Sequence, residues 1–321
     1  MAGTRKAALA AVVAVLALTA TACNDNNDEK KDAAPAAPTT AAAPTSAAPT
    51  SAAPTPAAPT SSAAAPAKLT PAAFLEQVTR KTGAAKSAKI TEDISIAATT
   101  MTAQGAVSWA DGLQGDVTMD MSGSPLGKLL APLTGGQSAP YRYTKDAMYL
   151  RLGGQAVRAL DGRHWLHYDK AAMAKASGGT GGDQLQNADP VQGVRTLIAS
   201  GKVAEVGQET VNGKPATHYT GQITVADIAG ASGNSITPEQ LEQIKGKLAK
   251  AGITSEQVDV WVDADQLVVK RTEQGDTKNG AFKVTVTYSD YGTPVTTTAP
   301  DPSDTVELSE LAKMDQGGAA S

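Results

Sequence analysis

From about residue 90 onward the chain alternates apolar and polar side chains with a period of two. Ile90, Ile94 and Ile96 share one parity. Val117, Met119 and Met121 share another, against Asp116, Thr118 and Asp120, and Met148, Leu150 and Leu152 repeat the pattern against Tyr149 and Arg151. Successive strand side chains point to opposite faces, so each run predicts a strand with one apolar and one hydrated face. Asp111-Gly112, Gly153-Gly154, Asp161-Gly162 and Asn212-Gly213 read as hairpin turns between such strands. The second half continues with residues 203–211, a turn at Asn212-Gly213, and residues 216–225 as partner. Val258, Val260 and Val262 run into a turn at Asp263-Ala264-Asp265, and residues 267–271 return. Phe282, Val284, Val286 and Tyr288 form the next strand, broken at Tyr291-Gly292. Residues up to 311 read as extended, with Pro294, Pro300 and Pro302 limiting their pairing.

Three helical stripes accompany these strands. Thr70-Pro71 supplies an N-cap and a first-turn proline, Phe74, Leu75 and Val78 share a face, and Gly83 ends the run. Val191, Val194, Leu197 and Ile198 mark a second helix closed by Gly201. Thr237-Pro238 opens a third, with Leu241, Ile244 and Leu248 along one side and Gly252 at its end. A one-sided sheet needs such stripes to cover its apolar face. About nine strands and three helices predict an α+β fold: a curved antiparallel β-sheet, or half-barrel, with helices on the concave face. Barrel closure is accompanied by glycine kinks inside strands, and the glycines here read as turn residues instead. Residues 125–133 are apolar but interrupted by Pro125 and Pro132, and predict a short helix plugging the open edge of the sheet. A flap over a cavity and a membrane-touching loop are the alternatives.

The preceding residues cannot join this core. Residues 33–67 are almost entirely Ala, Pro, Thr and Ser, in repeats such as Ala-Ala-Pro-Thr. Proline at this density blocks helix and favours extended chain, which could reach roughly 100 Å. Upstream, Arg5 and Lys6 precede an unbroken apolar run over residues 7–18, then Ala20-Thr21-Ala22-Cys23. A basic start, a short apolar run and small residues before a cut site describe a signal peptide, and the run is too short for a permanent membrane span. The order resembles a lipobox, in which the cysteine is acylated and becomes the new N-terminus. Ala20 stands where that motif usually carries Leu, so secretion with a free thiol is the alternative. Cys23 is the sole cysteine of the chain, and acylation gives it a role. The expected organisation is a signal peptide over 1–22, a lipidated cysteine and tether over 23–67, and a folded domain over 68–321. The protein would then be extracytoplasmic, anchored to the outer face of the cell membrane by its N-terminal lipid.

A net charge of -4 over 321 residues gives no electrostatic footprint for nucleic acid. His164 and His167 sit three apart in an expected strand and so face opposite ways, and His218 lies on another strand, which does not favour a metal site. No nucleophile elbow, phosphate-binding loop or His-Glu-x-x-His motif stands out. Asp263 and Asp265 read as hairpin chemistry and the glycine-rich residues 178–182 as a loop. No enzyme activity and no cofactor are expected.

Several local sequences carry a resemblance: Trp165-Leu166-His167-Tyr168-Asp169, the run from Gly207 to Gly213, Thr217-His218-Tyr219-Thr220-Gly221, Val260-Trp261-Val262-Asp263, and Tyr288 to Val295. Their order, after a lipobox and a leading helix, resembles the LppX/LprG family of cell-envelope lipoproteins, whose half-barrel is similar to LolA and LolB. The resemblance runs over most of residues 69–311. It implies a hydrophobic cavity between sheet and helices that carries acyl-chain lipids or glycolipids without chemistry. The chain is expected to be a monomer. The side chains expected to line it are Val117, Met119, Met121, Met148, Leu150, Trp165, Tyr219, Leu241, Ile244 and Trp261. The alternative is a tethered sensor or interaction domain with a filled core.

Overall fold

The computed structural model describes residues 69–172, 188–224, 252–296 and 298–310, together with Asp227, Glu242, Lys245, Gly246 and Ala249. Cys23, Leu241, Ile244 and most of the third expected helix lie outside the described residues.

Helix α1 (Pro71–Ala84) starts where the sequence places it, with the Thr70 hydroxyl accepting from Ala73 N at 3.3 Å. Strands β1 (Ser87–Ile96), β2 (Thr99–Ser108) and β3 (Gln114–Asp120) follow as a meander. Helix α2 (Pro125–Thr134) then crosses before β4 (Ser138–Tyr143) and β5 (Ala147–Arg151). A short α3 (Gly154–Ala159) precedes β6 (Trp165–Asp169), and α4 (Gln192–Ala199) precedes β7 (Ala204–Val211) and β8 (Lys214–Thr224). Strands β9 (Ser255–Asp263), β10 (Val268–Thr277) and β11 (Gly280–Ser289) form a second meander, and β12 (Thr305–Glu307) ends the described chain.

The twelve strands among the described residues belong to one sheet in the order β12-β6-β5-β4-β3-β2-β1-β11-β10-β9-β8-β7. The two ends of this order do not pair, so the sheet is a half-barrel and not a closed barrel. Twelve strands replace the nine counted from the sequence. The count missed β2 because its inward side chains are small, Ala103 and Gly105 among them, so it shows little apolar contrast. One pairing departs from the antiparallel expectation. Strand β12 lies parallel to β6, with Val306 opposite Leu166. Residues 290–304 carry the chain back to that edge, which two adjacent antiparallel strands joined by a hairpin would not require.

Two turn readings are corrected. Gly153-Gly154 is a helix start, Gly153 being the N-cap of α3. Glycines also sit inside strands. At Gly105 a Cβ would lie 2.1 Å from Asp116 O, and at Gly115 one would lie 2.1 Å from Ala106 O, so β2 and β3 approach more closely than side-chain-bearing residues allow. Asn212 and Gly213 both adopt positive φ, as a two-residue hairpin demands. Edge strand β7 carries a register shift between Glu205 and Gly207, and leaves Val206 exposed.

Alternation sorts the sheet into an inner, helix-covered face and an outer, hydrated face. Helix α1 packs on α4, and α2 on α3. The first pair covers a cluster that includes Leu75, Val78, Ile90, Val107, Leu197, Tyr219, Val260 and Val286. The second covers Leu130, Leu133, Leu150, Leu160, Leu166 and Val306. Residues 125–133 therefore form a helix, as expected, despite Pro132 within it.

Candidate functional site

The inner face is the place to look for a site, because only there do apolar side chains converge from strands and helices. Val117 and Tyr219 belong to the α1/α4 cluster, and Met121 and Leu150 to the α2/α3 cluster. Met119 and Met148 are partly buried and pack against both, as does Tyr141. These three side chains form a seam between the halves. Six of the expected ligand residues thus share one face, and four of them (Val117, Met119, Met148 and Leu150) lie at or beside the seam through the register Val117–Tyr141–Leu150 and Tyr143–Met148.

Trp165 and Trp261 lie on the other face. Trp165 sits under the guanidinium of Arg142, 5.2 Å from its ring centre, and near that of Arg151. Trp261 stacks on His218 with ring centres 4.3 Å apart and carries Lys270 on its ring at 4.1 Å. Its indole N–H donates to Glu209 at 2.8 Å. His218 is held between Glu209 at 2.8 Å and Asp259 at 2.9 Å. Parity explains this split: the side chains of Trp261 and Val260 must point opposite ways, and Val260 is inward. His164 and His167 pair with Asp304 and Glu307. Among the described residues no group of three or more His, Cys, Asp or Glu is placed to hold a metal ion. Asp263 acts as a turn residue, its carboxylate accepting from Asp265 N and Leu267 N at 3.0 and 2.9 Å.

Sequence reasoning missed a charged cluster inside the α1/α4 half. Glu92 and Arg271 are 5% and 2% exposed, and Arg271 meets Glu273 at 2.9 Å. Through the register Glu92–Val286–Arg271 and Val284–Glu273, these side chains line up on the inner face beside Tyr288. One carboxylate oxygen of Glu92 and the hydroxyl of Tyr288 are buried without a hydrogen-bond partner among the described residues. Burial pushes the Glu92 carboxyl up to about 7, against the pull of Arg271. Half-buried Glu256 is raised as well, first by burial and then by the Glu273 charge. Burial is the largest influence on Arg271 and opposes its charge, but Glu273, Tyr288, Asp189 and Glu92 together outweigh it and keep the guanidinium protonated. Helix α4 rests directly on this cluster: a Cβ on Gly193 would lie 2.6 Å from both Arg271 Cδ and Glu273 Oε1. At Gly221 a Cβ would lie 2.5 Å from Leu197, so a second glycine lets the same helix reach the sheet.

The fold and site define a class: an open half-barrel whose apolar face is covered by helices in two pairs, with a methionine-rich seam between them. No protein-family model matches the chain. A 31.2 kDa uncharacterised protein of Streptomyces griseus, encoded between rplA and rplJ, is 44% identical over 256 residues, covering 78% of this chain and 83% of that one. A protein of Streptomyces coelicolor named as a candidate lipoprotein is 32% identical over 242 residues, 74% of this chain and 75% of its own. The chain belongs to the family of these two Streptomyces proteins. Among solved structures, LprF of Mycobacterium bovis covers 72% of this chain and 96% of its own at 16% identity and a TM-score of 0.41. The lipoprotein LppX of Mycobacterium tuberculosis covers 70% and 98% at 15% identity and a TM-score of 0.40.

Proposed function

We propose that this protein is an envelope lipoprotein, acylated at Cys23 and displayed on the outer face of the cell membrane by the tether over 23–67. Its domain over 68–321 binds acyl chains of lipids or glycolipids at the seam, without chemistry. The observation that supports this most is that Met119, Tyr141 and Met148 are only partly buried yet pack against both apolar clusters. Parting the two helix pairs there would offer a ligand two apolar walls. Methionine side chains adapt to an irregular partner at small cost. An acyl chain lodged there would be stabilised by about 25 cal/mol per Å² of apolar surface removed from water. The name given to the Streptomyces coelicolor relative agrees with the lipobox reading.

The test is native mass spectrometry and organic extraction of the full chain made in a bacterium that processes lipoproteins. Co-purifying lipid, reduced by Met119→Trp and Met148→Trp, is the expected result. A protein that yields no lipid, and takes up no apolar fluorescent probe, makes it a filled interaction domain. Acyl labelling lost in Cys23→Ala, with release to the medium, is expected for the anchor; retained membrane attachment overturns that part alone.

A further inference from the structure

The outer face carries two adjacent cross-strand rows of polar side chains, and they differ. In the first, Thr220, Asp259, Thr272 and Thr285 lie in register across β8, β9, β10 and β11. These satisfy one another: Thr220 donates to Asp259 at 2.6 Å, and the Thr272 and Thr285 hydroxyls meet at 3.1 Å. The second row lies two residues further along each strand. Ser95 pairs with Lys283, Lys283 with Gln274, Gln274 with Gln257, and Gln257 with Gln222. Of these only Gln257 is engaged, donating to Thr220. The side chains of Ser95, Lys283, Gln274 and Gln222 make no hydrogen bond or ion pair among the described residues. This unspent row lines a groove of about 520 Å³. Ser255, Asp276 and Ala281 complete its outward lining.

We infer that this groove is a binding site for a linear, uncharged glycan, a site separate from the acyl-chain seam. Charge argues first. Lys283 and Asp276 are the charged groups of the lining and offset each other, which favours neither phosphate nor a charged peptide. Chemistry argues second. A carboxamide donates and accepts at once, so a row of three glutamines and a serine suits a ligand rich in hydroxyl and acetamido groups. The outward lining is mostly polar, which suits hydroxyl groups and not an acyl chain. Spacing argues third. Adjacent strands lie about 4.8 Å apart, close to the length of one residue in a β-1,4-linked chain, so successive sugars would meet successive strands. Five strands in register would span about four such steps, roughly 19 Å.

The experiment is saturation-transfer NMR and calorimetry of the full chain with chitotetraose and cellotetraose. Binding of at least one is expected, weakened at least tenfold in Gln222→Ala/Gln274→Ala. The glutamine variant changes only outward, unpaired side chains, so its circular dichroism and melting should match the parent. Lipid co-purification should be unchanged in it, which separates this site from the seam. No binding to either glycan at millimolar concentration overturns the inference. So does binding that the glutamine variant leaves intact, or tighter binding of an extended peptide that the same variant abolishes.

Discussion

The two halves of the inner face solve the same problem with different materials. Under α2 and α3 the buried side chains are leucines, alanines, a methionine, a valine and a tyrosine, and the one buried polar residue there among the described residues, Ser124, caps α2. Under α1 and α4 a similar apolar cluster surrounds Glu92, Arg271, Glu273 and Tyr288. A dry core can repack around a change of shape. A charged one is held by mutual satisfaction, and removing one member leaves the others exposed to a low dielectric. The difference teaches that helix-covered does not mean lipid-like throughout this face. The acyl chain we propose would fit better at the seam and over the α2/α3 half than beneath α4.

The sharpest way to break this comparison is one swap in each half. Arg271→Met is expected to cost about 3–5 kcal/mol, because it strands carboxylates around a removed counter-charge. Leu150→Met should cost less than about 1.5 kcal/mol, since shape and volume are nearly kept. Urea denaturation of both variants checks this, and equal losses would erase the distinction.

The next largest effect is on pH. Glu92 has a folded value of about 7 against an ordinary 4.5, so the folded protein holds a proton that the unfolded chain has released. Stability contributed by that neutral carboxyl is fully present below about pH 4.5 and is lost as pH rises through about 7, by up to about 3 kcal/mol. Glu256, also raised, acts in the same direction. Melting measured from pH 5 to 8 should therefore show a decline that Glu92→Gln flattens.

Gly193→Ala comes third. Its Cβ collides with Arg271 and Glu273, and a loss of about 1–3 kcal/mol is expected. Gly83→Ala, with nothing within 4 Å, should cost nothing and serves as the control. The smallest effect belongs outside both halves: Asp111→Asn, which breaks an exposed pair with Lys145, should change the melting free energy by less than about 0.5 kcal/mol.

Much of the fold was legible because alternation is strong wherever one face is covered. Ile90, Val117, Leu150, Val260 and Val286 all declared their side of the sheet. Strand β2 was illegible because Ala103 and Gly105 give no contrast. The charged cluster was half legible. Glu92 shares the parity of Ile90 and Ile94, and an acid at an inward position was a readable signal. Arg271 was not readable in that way. A bulge between Val268 and Lys270 shifts the alternation of β10, so the side chain that faces the core there is one that simple counting places outside. The outer row of glutamines could be listed from the sequence, but its registration across five strands depends on pairings that only the fold sets.

Strand β7 has a consequence for the protein as a population. An open sheet leaves an unpaired rim, and if the proposed lipid anchor holds the molecules to one surface they would meet rim to rim far more often than in dilute solution. The irregular step between Glu205 and Gly207 interrupts the ladder that a neighbour would need in order to dock and extend it. Straightening that step would turn a crowd of separate molecules into a seed for fibres.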